Sequence, residues 1–195
     1  MLFLKNNKTP SIEEQYINLS NCGIRLNEGI SLDRINEFEF SEYGSQPYIL
    51  LLIALGTYLH GTDGKQWASS DMWHFDTECI YGHGDYVQIV RRLINLSKND
   101  LKLDELQDYV DIDEGVAYLE FIHEGQRYHW DLKVEDDWVD PSIFSKYVNL
   151  LSKVRSQGKF TYYNLRGQDC LIGYCTERDF KRLTKTTKLN FEYLY

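Results

Sequence analysis

Three features of this sequence predict an α+β fold, with an antiparallel or mixed sheet and helices packed mainly on one face. Alternating apolar and polar segments in the second half are joined by short turns containing Gly, as hairpins are. Around them lie segments whose apolar residues recur at helical spacing. The resulting order is ββαββα over the C-terminal half, preceded by an α-rich N-terminal part.

The N-terminal part opens on Ser11-Ile12-Glu13-Glu14, where a Ser and the third residue after it, a Glu, satisfy each other's backbone N–H groups. A short helix is expected from there to about Leu19. Residues 21 to 45 are ambiguous: Ile30, Leu32 and Ile35 suit a strand or a short helix, and Glu37-Phe38-Glu39-Phe40 alternates. Pro47 opens a helix expected to end near Gly61. Its apolar run, residues 48 to 59, is far shorter than the roughly twenty residues of a membrane span and reads as a buried core helix. The composition of Gly61-Thr62-Asp63-Gly64-Lys65 marks a turn. Residues 71 to 80 alternate as a strand closed by Gly82-His83-Gly84. From Asp85, Tyr86, Ile89, Val90, Leu93 and Ile94 give an amphipathic helix.

Residues 101 to 110 form an acidic element, helical or irregular. Strands are expected at 116 to 122 and 128 to 134 around Glu124-Gly125, with Tyr128, Trp130, Leu132 and Val134 on one face and His129, Asp131 and Lys133 on the other. Asp140-Pro141 caps a helix whose stripe runs from Ile143 to Val154, and Gly158 ends it. Strands at 160 to 165 and 170 to 175 flank Arg166-Gly167-Gln168. Thr176 and Asp179 open a basic helix to about Lys185, and a last strand covers 189 to 193. The 195 residues fit one compact domain, 1–195, within which an α-rich subdomain, 1–99, and an α+β part, 100–195, are discernible.

Charge is unevenly distributed. Residues 100 to 140 hold fourteen Asp and Glu against Lys102, Arg127 and Lys133, a net −11 where the whole chain is −9. Fifteen Tyr and four Trp set the chain apart from disordered acidic sequences. A folded acidic surface repels phosphate and attracts basic proteins, so nucleic acid and membrane are not expected partners and a basic protein is. Cys22, Cys79, Cys170 and Cys175 form no CxxC pair and read as buried thiols of a reducing compartment. The apolar run at Met1-Leu2-Phe3-Leu4 is too short for a signal peptide, which makes the cytoplasm the expected location.

Two acidic clusters flank the central hairpin: Asp108, Asp111, Asp113 and Glu114 before it, and Asp136 and Asp137 beside Trp138 after it. A hairpin brings its ends together, and an aromatic ringed by carboxylates is an anchor for a basic protein. These seven residues are the expected partner surface. Asp140 is read as a helix cap. His74, Asp76 and Glu78 would share one strand face and, with His83 from the turn, form an N/O set for a divalent metal, the basis of an alternative reading as a small metal-dependent hydrolase. His129 and Asp131 make a candidate base pair without a visible nucleophile. Gly61-x-x-Gly64-Lys65 is too short for a phosphate loop, and Gly82-x-Gly84 lacks a third glycine. No cofactor and no catalytic residue is expected.

The segments Phe75-Asp76-Thr77-Glu78-Cys79-Ile80, Asp137-Trp138-Val139-Asp140 and Gly167-Gln168-Asp169-Cys170 give the chain a general character that resembles the immunity proteins of bacterial toxin systems. That resemblance implies a small, non-catalytic cytoplasmic protein that blocks a cognate toxin domain, here a basic one such as a nuclease. It assigns no role to any single residue. An acidic adaptor or anti-defence protein has the same surface requirements.

Overall fold

The computed structural model describes residues 9–35, 40–61 and 64–195. Among them the chain has an α+β fold with antiparallel strand pairing, and no helix is long and apolar enough to cross a membrane. The first half runs through α1 (Ile12–Asn21), α2 (Leu32–Ile35), α3 (Phe40–Ser45), α4 (Ile49–Leu55), β1 (Tyr58–Gly61), β2 (Gly64–Trp67), β3 (Met72–Asp76) and α5 (Asp85–Leu96). The second runs through β4 (Asp104–Asp111), β5 (Val116–His123), β6 (Gln126–Leu132), α6 (Ser142–Leu151), β7 (Lys159–Arg166), β8 (Asp169–Cys175), α7 (Glu177–Thr187) and β9 (Glu192–Tyr193). The chain folds as two compact units, residues 1–74 with 178–190, and residues 75–177 with 191–195.

In the first unit the expected capping box is present at α1: Ser11 Oγ accepts from Glu14 N–H at 3.3 Å, and Glu14 Oε2 accepts from Ser11 N–H at 2.8 Å. The ambiguous stretch after α1 is organised by one fully buried amide. Gln15 Nε2 donates to the Pro10 and Tyr43 carbonyls, and its Oε1 accepts from Tyr48 N–H at 2.7 Å. Residues 32 to 35 settle as the short helix α2. The alternation at Glu37-Phe38-Glu39 and the tip Thr62-Asp63 of the expected turn lie outside the described residues.

The helix expected from Pro47 to Gly61 is only α4, and the chain then reverses into the hairpin β1–β2. Gly56 is the reason. A Cβ there would stand 2.2 Å from the His74 nitrogen, and His74 N–H donates to the Gly56 carbonyl at 3.0 Å, so backbone replaces the space a helical side chain needs. Beyond it Tyr58 lies opposite Trp67 with ring centroids 4.7 Å apart, a cross-strand aromatic pair.

In the second unit β4, β5 and β6 form a three-stranded antiparallel sheet, and the four-stranded sheet has the order β3-β8-β7-β9. Along the chain the ββαββα series is present as β5, β6, α6, β7, β8 and α7, the last of these belonging to the first unit. Strand β4 is added in front, and the expected last strand is reduced to β9 behind. Residues 101 to 110, expected to be helical or irregular, contribute β4. Its polar residues occupy both faces and only Val110 is buried, so no period of two betrays it. Helix α6 stops at Leu151, short of Val154, and Gly158 instead enters β7, its N–H donating to the Tyr174 hydroxyl at 2.9 Å. The core centres on Leu119, Phe121, Ile143, Tyr147 and Leu171, with Tyr147 edge-on to Phe160. The Tyr147 hydroxyl reaches Ser97 Oγ at 3.0 Å, so the buried phenol is satisfied.

Candidate functional site: an acidic double loop

Two acidic connections of the second unit run side by side. The segment following β3 and the connection from β6 to α6 are stitched by backbone: Cys79 and Ile80 N–H both donate to the Asp137 carbonyl at 2.9 Å, and Val139 N–H donates to the Thr77 carbonyl at 2.9 Å. Glu78 and Trp138 pair across this seam. The β7–β8 turn joins them, because the Gln168 carbonyl accepts from Thr77 N–H (3.0 Å) and Thr77 Oγ1 (2.7 Å), while Gln168 Nε2 reaches Asp76 Oδ1 at 3.3 Å. The three segments that carry the resemblance thus meet in one structure.

Asp140 fixes the far end of the seam. Its carboxylate accepts from Lys133 N–H at 2.7 Å, Ser142 N–H at 2.8 Å and Ser142 Oγ at 2.8 Å, closing the start of α6 as a cap does. Burial alone would raise its pKa; those donors prevail and hold it below the usual carboxylate range. Its N–H donates to Tyr86 Oη, whose phenol burial pushes up to about 12.

The seam presents two aromatics to solvent. Trp138 is 41% exposed and Tyr81 72%. The Tyr81 hydroxyl donates to the Glu78 carbonyl at 3.0 Å, and its phenol is shifted upward by partial desolvation and by Asp137, Asp76, Cys79 and Glu78. Asp136 is exposed and holds φ at 53°, the left-handed region that Asp tolerates better than most residues. Under Trp138 a cleft of about 740 Å³ opens between α6 and the sheet, lined by Phe75, Phe144, Tyr162 and Ile172 with Glu135 and Asp136. Burial raises the Cys79 and Cys170 thiols to about 12, so both stay protonated at neutral pH and neither is an activated nucleophile.

The first acidic cluster divides. Asp111 pairs with Val116, and Ala117 with Leu132, so the β4–β5 turn and the β6–α6 connection leave the same end of the three-stranded sheet. Asp111 is occupied by that turn, accepting from Glu114 N–H at 2.9 Å, while Asp113 and Glu114 are exposed. Asp108 serves the fold instead. Its carboxylate accepts from Gly84 N–H at 2.6 Å and Val87 N–H at 3.1 Å, capping α5 from a neighbouring strand. Asp108→Ala is therefore expected to lower stability by about 1–2 kcal/mol in chemical denaturation. Partner binding by the folded variant should remain intact, whereas a contact role for Asp108 would show as weakened binding.

Two of the four metal-ligand candidates, His83 and Asp76, are engaged elsewhere. His83 Nδ1 accepts from Val110 N–H at 2.9 Å and its ring lies 4.8 Å from Tyr109, while Asp76 engages Gln168. Among the described residues no three His, Cys, Asp or Glu side chains form a metal-holding group.

His129 sits between two carboxylates, Nδ1 3.0 Å from Glu120 and Nε2 3.2 Å from Asp131, and its ring stacks on Tyr118 at 4.8 Å. Both nitrogens are engaged, which favours the imidazolium: the hydrogen bond to Glu120, then that to Asp131, raises its pKa. A raised folded pKa means that this contribution is fully present below the unfolded histidine pKa of about 6.5 and is lost as pH rises through the folded value. Thermal unfolding across that window should show a pH dependence that His129→Gln flattens; an unchanged profile would place the ion pair outside the folding equilibrium.

Sequence reasoning located Asp136, Asp137 and Trp138 but missed Tyr81 and the cleft. Tyr81 carries no signal beyond an aromatic before Gly82, and the cleft is assembled from segments far apart in the chain. No family model, curated protein or solved structure matches the chain.

Proposed function

We propose that this chain is a non-catalytic, cytoplasmic binding module that docks a basic protein on the acidic double loop, as an immunity protein neutralises its toxin. The observation that supports this reading most is the exposure of Trp138 and Tyr81 on a backbone-stitched seam with Asp76, Glu78, Asp136 and Asp137. Exposed aromatics supply the contact area of an interface hot spot, and the carboxylates around them attract a basic partner over distance. Where the partner is a nuclease, carboxylates occupy the positions its basic groups would offer to phosphate. The seam also costs little to order on binding, because its backbone is already paired.

Growth rescue tests the reading. Co-expression in a bacterial host with the product of the adjacent open reading frame should relieve that product's toxicity, and replacing Trp138 by Ala should abolish the relief. Equal rescue by the variant would remove the double loop from the mechanism, and toxicity unaffected by the intact chain would remove immunity.

A further inference from the structure

The cleft beneath Trp138 has a chemistry of its own. Its volume, about 740 Å³, is several times that of one amino-acid side chain and falls within the range of small-molecule sites, roughly 300–1,000 Å³. Phe144 from α6 and Tyr162 and Ile172 from the four-stranded sheet give it an apolar body. Among the described residues no Lys or Arg lines it, while the carboxylates of Glu135 and Asp136 do. Glu135 is paired with Lys133. Asp136, exposed and bonded to no neighbouring side chain among those described, is left to offer a negative charge at the mouth. Trp138, part of the same lining and 41% exposed, offers an indole face, the aromatic surface that best attracts a cation.

We infer that this cleft is a binding site for a small amphipathic amine, an apolar body carrying one ammonium group. The body enters between Phe144, Tyr162 and Ile172, and the ammonium stays at the mouth between the Asp136 carboxylate and the Trp138 ring. A fatty acid of the same body would place its carboxylate against Asp136 and is disfavoured; a neutral alcohol keeps the burial and loses the charge contact. The site shares Trp138 and Asp136 with the proposed docking surface but does not require the chain to be an immunity protein.

Amide-resolved NMR titration of the full chain with octylammonium, octanol and octanoate separates these cases. Octylammonium should saturate, shift the amides of residues 135 to 139 and 142 to 145, and bind about ten-fold more tightly than octanol or octanoate. Asp136→Asn should remove the advantage of the amine while leaving octanol unchanged. Ser145→Phe, which fills the cleft without altering charge, should abolish binding of all three and leave partner capture intact. Asp136 is exposed, so its variant carries the test even where Ser145→Phe fails to fold. Equal affinity for the amine and the acid, or shifts spread over the acidic surface without saturation, would overturn the inference.

Discussion

Replacing Asp136 and Asp137 together by lysine is expected to weaken capture of the basic partner by at least about ten-fold at low salt, with the deficit shrinking as salt is added. Both carboxylates belong to the connection that carries Trp138, and the bond that holds the seam uses the Asp137 carbonyl, which lysine retains. The variant should therefore fold, as far-ultraviolet circular dichroism would show, with its melting temperature lowered only by the cost of lysine at the left-handed φ of residue 136. Screening decides the salt dependence: charges that interact across a Debye length of about 10 Å at 0.1 M salt are largely masked at 1 M. Trp138→Ala should act differently. Loss of a hot-spot aromatic typically costs about 2 kcal/mol or more, close to thirty-fold in affinity, and appears mainly as faster dissociation at every salt concentration.

The largest stability effect is expected at Gly56. Any side chain there meets backbone, with His74 nitrogen 2.2 Å and Trp73 carbonyl carbon 2.7 Å from an ideal Cβ. Backbone cannot swing aside as a flexible side chain does, so Gly56→Ala must separate α4 from β3 and break the His74–Gly56 hydrogen bond. A loss of about 3 kcal/mol or more follows, since overpacking alone commonly costs 1–3 kcal/mol and a stretched backbone hydrogen bond adds to it. Denaturant unfolding reads this directly; a variant within 0.5 kcal/mol of the parent, about the spread of surface substitutions, would contradict the close approach.

Legibility in the sequence followed how local each determinant is. The α1 cap, the stripe of α5 and the hairpins β5–β6 and β7–β8 are written in residues a few positions apart, and all four are present. The continuous apolar run after Pro47 is indistinguishable by period between one long helix and the helix-then-strand that forms, because the divider, Gly56, acts through its contact with residues 73 and 74. Strand β4 was hidden because Asp108 is placed to cap α5 and Asp111 to close a turn, so polar residues interrupt the alternation. The site shows the same division. Asp136-Asp137-Trp138 stands out as a motif, whereas its pairing with residues 77 to 80 depends on a register between segments some sixty positions apart.

The association rate of the captured partner, measured by stopped flow from about 50 mM to about 500 mM salt for the parent chain and the Asp136→Lys/Asp137→Lys variant, tests the acidic double loop most directly. A steep fall for the parent and a nearly flat line for the variant are predicted. Rates that ignore salt in the parent, or that fall equally in both proteins, would show that the partner is steered elsewhere on the molecule.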